Sequence, residues 1–196
     1  MIVWLNGAFG AGKTTAAFEL HRRLPGSFVY DPEEVGFFLR KNLPEACHTA
    51  DFQDMPLWRS FNYQILKELH ERYDGPVIVP MTLVEPAYFE EIVGRLKDEG
   101  VPVVHIILYA SRETILKRLR KRSLGSEAFA VEAIGRCMEF FERPGVGIRI
   151  VTDGASVDQV VEQIAGACGL RLPPERRGRL ARQIDRLRTA VGHIRR

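Results

Sequence analysis

Hydrophobic positions follow two habits along this chain. Near-continuous apolar runs stand at 2–5, 27–30, 77–80, 101–108 and 147–151, most of them bounded by Gly, Pro or a polar cluster. Runs of that kind mark strands covered on both faces. Between them, apolar residues recur at helical spacing. Phe18, Leu20 and Leu24 do so after residue 13, and Trp58, Phe61, Tyr63, Ile65 and Leu69 do so across 57–73. Tyr88, Phe89, Ile92, Val93 and Leu96 follow Pro86, and Leu116 and Leu119 follow Ser111 in a helix expected to reach Arg122. A polar hinge at 123–126 and a further helix through Phe140 come next.

Strands alternating with helices predict an α/β protein, a doubly wound, mainly parallel five-stranded sheet with right-handed crossovers. The longest run, 101–108, reads as a central strand of that sheet, covered on both faces. Two helix starts are explicit: Asp31, Pro32 and Glu34 as cap, first position and third position, and Ser156 with Gln159 as a capping box. Residues 45–56 read as irregular. The aromatics of 57–73 suit core at their spacing, with pocket lining as the alternative.

The first strand runs into the stretch that carries chemistry. Gly7, Ala8, Phe9, Gly10, Ala11, Gly12, Lys13, Thr14 and Thr15 spell GxxxxGK[ST] between a buried strand and a helix. Successive backbone N–H groups of such a turn face inward on an anion, and the helix dipole adds to the attraction. Lys13 supplies a point charge for the β and γ phosphates, and the Thr14 hydroxyl suits Mg²⁺. The cofactors expected are therefore ATP and Mg²⁺. A dinucleotide fingerprint is excluded because Gly10 and Gly12 are followed by Lys13, where GxGxxG needs a different spacing.

Composition narrows the class further. The chain has 196 residues, 45% hydrophobic and 27% charged, which is ordinary for a soluble domain with a sizeable core. No apolar stretch approaches the ~18 residues of a membrane span, and the first strand begins without a basic leader, so a cytoplasmic protein is expected. Cys47, Cys137 and Cys168 are odd in number and widely spaced, which suits buried thiols. The net charge of +3 hides an asymmetry, because residues 176–196 hold eight arginines and one aspartate, leaving −4 for residues 1–175 once +7 is removed. The prolines of 170–175 separate a domain at 1–169 from a basic tail at 170–196.

Without NKxD or TKxD there is no guanine reader, and without long insertions there is no motor or ring architecture. Transfer of phosphate to a small molecule fits better than nucleotide hydrolysis for a partner. The cluster Lys117, Arg118, Arg120, Lys121 and Arg122 precedes the hinge; Arg118 and Arg122, with Arg136 beyond it, are candidates for a lid over the phosphates. A solvated charged face is the structural alternative. Asp31, at the carboxyl end of the second strand, is the candidate base for an acceptor hydroxyl or a ligand to the Mg²⁺ shell, alongside Thr14. The third strand ends in Pro80, Met81 and Thr82, with no acid, so a metal-binding carboxylate there is missing.

The segments IVWLNGAFGAGKTT, YDPEEVGFFLR, DFQDMPLWRSFNY, VIVPMTLVEPAYF and LKRLRKR together resemble the bacterial tunicamycin resistance protein family over the whole length. The resemblance implies an ATP-binding protein conferring resistance to a fatty-acylated nucleoside antibiotic, with a fold similar to nucleoside, chloramphenicol and shikimate kinases. It also implies peripheral membrane attachment through the C-terminal helix. In those kinases a carboxylate after the second strand contacts the acceptor hydroxyl, matched by Asp31, and a lid arginine is matched by Arg118 or Arg122. Phosphorylation of the drug and its sequestration both remain open at this point.

In the tail, Leu180, Ile184, Leu187, Val191 and Ile194 recur every three or four residues, with Arg179, Arg182, Arg186 and Arg188 around them and Arg195 and Arg196 at the end. They make one apolar stripe on a basic amphipathic helix roughly 30 Å long. The stripe can pack on the domain with the arginines as a wet face, lie in an anionic membrane at the inner face of the cell envelope, or pair with a second copy. Monomer and dimer both remain open. A nucleic-acid-binding role rests on the arginines alone, without interleaved aromatics, and no nucleic acid is expected.

Overall fold

The computed structural model describes residues 1–120, 127–175 and 177–194, and the side chains of all of these except 127–133, 179 and 190–194. The strands are β1 (Ile2–Asn6), β2 (Phe28–Val29), β3 (Val77–Pro80), β4 (Val103–Tyr109) and β5 (Ile148–Val151). Helices α1 (Lys13–Arg23), α2 (Glu33–Asn42) and α3 (Pro56–Arg72) are followed by α4 (Pro86–Phe89) and α5 (Arg95–Asp98), which a π turn at Glu90–Gly94 joins into one rod. Then come α6 (Arg112–Arg120), α7 (Glu127–Phe141), α8 (Val157–Ala167) and α9 (Arg179–Ile194). Residues 45–56 hold two short 3₁₀ turns in place of a wholly irregular loop.

The sheet is five-stranded in the order β2-β3-β1-β4-β5, and each strand pair is parallel. The longest strand, β4, lies inside the sheet between β1 and β5, as its long apolar run predicts. The middle strand, β1, is short yet wholly buried along all five residues. Its side chains divide by parity as a pleated strand requires. Ile2 and Trp4 enter one core layer with residues of α2, α3, α5 and α7, and Val3 and Leu5 enter the other with α1 and α8. Helices α1 and α8 thus cover one face, and α2, α3, α5 and α7 cover the other. The carboxyl ends of β1 and β3 lie side by side, at the point in the strand order where open α/β sheets take ligands.

The α3 aromatics resolve mostly as core, with Trp58 and Tyr63 buried and the Trp58 indole donating to the Pro32 carbonyl at 3.0 Å. Cys137 and Cys168 are buried free thiols, whereas Cys47 is exposed, since the 3₁₀ turn carrying it buries no residue.

The tail helix docks on the domain, but through its polar face. Glu19 on α1 is fully buried and meets Arg177 at 2.5 Å, Arg22 at 3.4 Å and Arg186 at 3.7 Å. Asp158, in the first turn of α8, pairs with Arg182 and Arg186, and Arg22 donates to the Asp185 carbonyl. Leu180, Ile184 and Leu187 are left 75%, 49% and 65% exposed. For these three residues packing of the stripe on the domain is corrected, while the side chains of Val191 and Ile194 lie outside the described residues. The surface that α1 and α8 offer the tail is ionic, so Arg182 and Arg186 turn inward and Leu180, Ile184 and Leu187 turn out.

Candidate functional site

The phosphate-binding loop forms because its backbone turns where only glycine turns freely. Gly7 has φ +152° and a Cβ there would stand 2.7 Å from the Leu108 carbonyl oxygen, while Gly12 caps α1 at φ +103°. Lys13 Nζ donates to the carbonyls of Gly7 at 2.8 Å and Ala8 at 3.2 Å, closing the loop on itself. The predicted residues 7–15 are thus one turn at the carboxyl end of β1, with Lys13, Thr14 and Thr15 opening α1.

Three side chains that the sequence reading did not single out hold this loop in place. Asn6 Oδ1 accepts the N–H of Gly7 at 2.9 Å and of Leu83 at 3.1 Å, and its Nδ2 donates to the Leu83 carbonyl at 2.7 Å. The same Nδ2 lies 3.2 Å from His105 Nε2, and His105 Nδ1 lies against the Val146 carbonyl. His105 is therefore the Nδ1–H tautomer with Nε2 accepting, and burial holds its pKa down at about 4. Thr82 donates its hydroxyl to the Gly7 carbonyl at 2.8 Å, and Gln53 donates to the Thr82 carbonyl at 3.1 Å. The end of β3, where an acid was missed, is thus occupied by a hydroxyl that braces the loop.

On the other side of the loop lies a pocket of about 320 Å³, walled by Gly10, Ala11, Gly12, Thr15, Ala16, Leu108, Arg118, Thr152, Ala155, Val157 and Val160. Its walls are mostly glycine and aliphatic side chains, with the threonines Thr15 and Thr152 and one cation. Arg118 Nη1 donates to the carbonyls of Gly10 and Ala11 and to Thr152 Oγ1, at 3.2–3.3 Å, and Nη2 donates to the Thr152 carbonyl at 2.8 Å. Arg118 is consequently placed beside the loop, spanning from it to the segment after β5. A flat heteroaromatic ring suits this slot, with aliphatic side chains on its faces and a guanidinium at its rim.

Asp31 stands at the carboxyl end of β2, half-buried, its Oδ1 accepting the Glu33 N–H at 3.0 Å. The capping interaction expected of it is present, although the regular helix begins at Glu33 with Pro32 ahead of it, one residue later than the pattern suggests. Beyond it, Arg59 is buried against Glu91 at 2.6 Å and stacks on the Tyr88 ring.

Arg136 is exposed on α7, and among the described residues it makes no hydrogen bond or ion pair. It adjoins Cys137, whose thiol burial pushes up while the charges of Lys13 and Arg136 pull it down, so both cations lie within electrostatic reach of that thiol. Arg122 and the hinge at 123–126 lie outside the described residues. Among the described residues no group of three or more His, Cys, Asp or Glu is built to hold a metal. The donor chemistry instead fits a hard cation taken largely by phosphates, with the Thr14 hydroxyl and Asp31 as the protein oxygens available.

The model of the AAA domain family AAA_33 matches residues 2–144. Among solved structures, the chain is similar to the tunicamycin resistance protein of Deinococcus radiodurans, 37% identical, covering 89% of this chain and 98% of that one at a TM-score of 0.77. A sugar kinase from Janibacter sp. HTCC2649 is 16% identical over 86% of this chain and 94% of its own, with a TM-score of 0.60. The APS kinase CysC of Mycobacterium tuberculosis, in complex with AMPPNP and APS, is 18% identical over 86% and 96%, also at 0.60. The last two show the fold alone. No curated protein sequence matches the chain.

Proposed function

The chain belongs to the AAA domain family AAA_33 and to the tunicamycin resistance protein family, and from that premise we propose that it transfers the γ-phosphoryl group of ATP to a hydroxyl of a tunicamycin-like nucleoside antibiotic. It is a nucleotide-binding, kinase-like protein. The observation that carries the reading is the continuity of the phosphate loop with the Arg118 pocket, which together match the triphosphate and the base of one nucleotide.

In this reading the loop amides and Lys13 hold the β and γ phosphates, and the Thr14 hydroxyl serves Mg²⁺, which supplies charge neutralisation when bound. Arg118 borders the base. Asp31 accepts the proton of the acceptor hydroxyl as its oxygen bonds to phosphorus and the bond to the β-bridging oxygen breaks, releasing ADP. Arg122 and Arg136 are the cations proposed to close over the phosphates. Mass spectrometry of tunicamycin after incubation with protein and Mg-ATP tests the step. The expected result is drug heavier by one phosphoryl group, with Asp31→Asn slowing its appearance by about 10²- to 10⁴-fold. Unaltered drug that nonetheless binds would replace transfer by ATP-linked sequestration.

A second reading concerns the tail. No described helix is long and apolar enough to cross a membrane, but Leu180, Ile184 and Leu187 face outward from a helix anchored by its polar side. That arrangement favours peripheral attachment to an anionic membrane. Each such side chain, when buried, contributes about 1.5–3 kcal/mol, and exposed basic residues such as Arg188 add about 1 kcal/mol apiece near anionic headgroups. Full-length protein is expected to float with anionic vesicles and a chain ending at Pro174 to stay behind. Equal behaviour of the two forms would remove the tail as anchor.

A further inference from the structure

The wall of the base pocket opposite the phosphate loop is a short segment after β5, residues 152–156, and its shape is set by few contacts. Thr152 is buried, and both its carbonyl and its hydroxyl accept from Arg118. Gly154 turns the segment at φ +67°, after which Ala155 and Val157 line the pocket. Between the Arg118 contact and the turn stands Asp153. Its Oδ2 accepts the Ser111 N–H at 2.9 Å, and its Oδ1 accepts the Ser111 hydroxyl at 2.6 Å and the same N–H at 3.2 Å. The donors of Ser111 hold this carboxyl below the usual range, which agrees with its acting as an ionised acceptor.

Ser111 directly precedes α6, and its Oγ accepts the Thr114 N–H at 3.3 Å. Seven residues later the same helix supplies Arg118. One rigid helix therefore grips the wall at two points about 10 Å apart along its axis. Two attachments fix the orientation of the wall as well as its distance. The Thr152 N–H also bonds the Tyr109 carbonyl and Ser156 begins the capping box of α8, so between these ends Asp153 is the side chain that ties the segment to the start of α6.

We propose that Asp153 is a positioning residue for the nucleobase: with Ser111 it sets the spacing between the wall at 152–155 and Arg118, and so governs recognition of the base half of the nucleotide. It touches no phosphate itself. The inference rests on the nucleotide-binding reading given above, and it predicts a separation between the two halves of ATP. The phosphate half is held by a loop that Asn6 and Thr82 brace from the β3 side and Lys13 closes from within, besides the Arg118 contacts to Gly10 and Ala11, and the hydrogen bonds of Asn6 and Thr82 do not involve Asp153. Loss of the staple therefore weakens base recognition and spares phosphate recognition. A carboxylate serving only as a cap for α6 would lower thermal stability without producing such a split.

The test is calorimetric titration of wild type, Asp153→Asn, Ser111→Ala and Ser111→Thr with Mg-ATP and, separately, with Mg-tripolyphosphate. Asp153→Asn is expected to lose about tenfold in ATP affinity, the scale of one charge-assisted hydrogen bond, while tripolyphosphate affinity stays within about twofold. Ser111→Ala shifts in the same direction and Ser111→Thr, which keeps the hydroxyl, restores wild-type binding. Ser111 is exposed, so its variants report the split even if Asp153→Asn does not fold. Equal losses for both ligands, or none for either, would overturn the positioning role. Failure of the wild type to bind either ligand would instead overturn the nucleotide reading on which it rests.

Discussion

Lys13→Ala is expected to weaken Mg-ATP binding by roughly 10- to 150-fold, the equivalent of about 1.5–3 kcal/mol for a hydrogen bond to a charged group. Two losses combine in that figure. The ammonium no longer reaches the β and γ phosphates, and the carbonyls of Gly7 and Ala8, which it now joins at 2.8 and 3.2 Å, lose the donor that closes the loop. Neither loss touches the hydrophobic layers, so thermal stability without ligand stays near wild type. Isothermal titration compares the two proteins. Equal affinities would mean that the nucleotide, if bound, sits somewhere other than this loop.

The second large effect falls far from the phosphates. Glu19→Ala is expected to cost the full-length protein about 1.5–3 kcal/mol, the scale of charge-assisted hydrogen bonds lost from a network in which Arg177 keeps Glu175 and Asp185 and Arg186 keeps Asp158. For a chain of this size that amounts to a fall in melting temperature of roughly 3–12 °C. Alanine is the better helix former, so a loss of this size cannot come from α1 itself. Arg177, Arg186 and Arg22 all converge on the Glu19 carboxylate, and two of the three arrive from the tail. The same substitution in a chain ending at Pro174 is therefore expected to cost no more than about 1 kcal/mol, the scale of an exposed pair with Arg22. Thermal melts of the four proteins form the cycle that isolates the contribution of the tail. An equal cost in both backgrounds would show that the network does not fasten α9.

Much of the fold was legible because it depends on local signals. Apolar runs located the five strands, the glycine spacing located the phosphate loop, and Ser156 with Gln159 formed the capping box that their spacing predicted. What escaped was decided by partners distant in sequence. The order of the strands, with β1 between β3 and β4, is set by pairings that no apolar run encodes. The tail helix was readable from its period, but not which side faces the domain. That choice depends on Glu19 and Asp158 lying on the surfaces of α1 and α8 that meet it.

The candidate site divides in the same way. Residues 7–15 announced themselves through one contiguous motif, and Arg118 through its charge cluster. Asn6, Thr82 and Asp153 did not, since each acts through a hydrogen bond spanning 42–77 residues of chain. An asparagine ending a buried strand directly before the loop was the one available signal. A fully buried amide must find partners, and Asn6 finds them at the loop and at the segment after β3.

The central claim is that one nucleotide lies across the phosphate loop and the Arg118 pocket, and amide chemical-shift mapping during titration with Mg-ATP tests it most directly. Two clusters of perturbed amides are expected, one at 7–15 and one at 152–160, with tripolyphosphate moving only the first. Perturbation confined to any other face, or no perturbation at saturating Mg-ATP, would contradict the account.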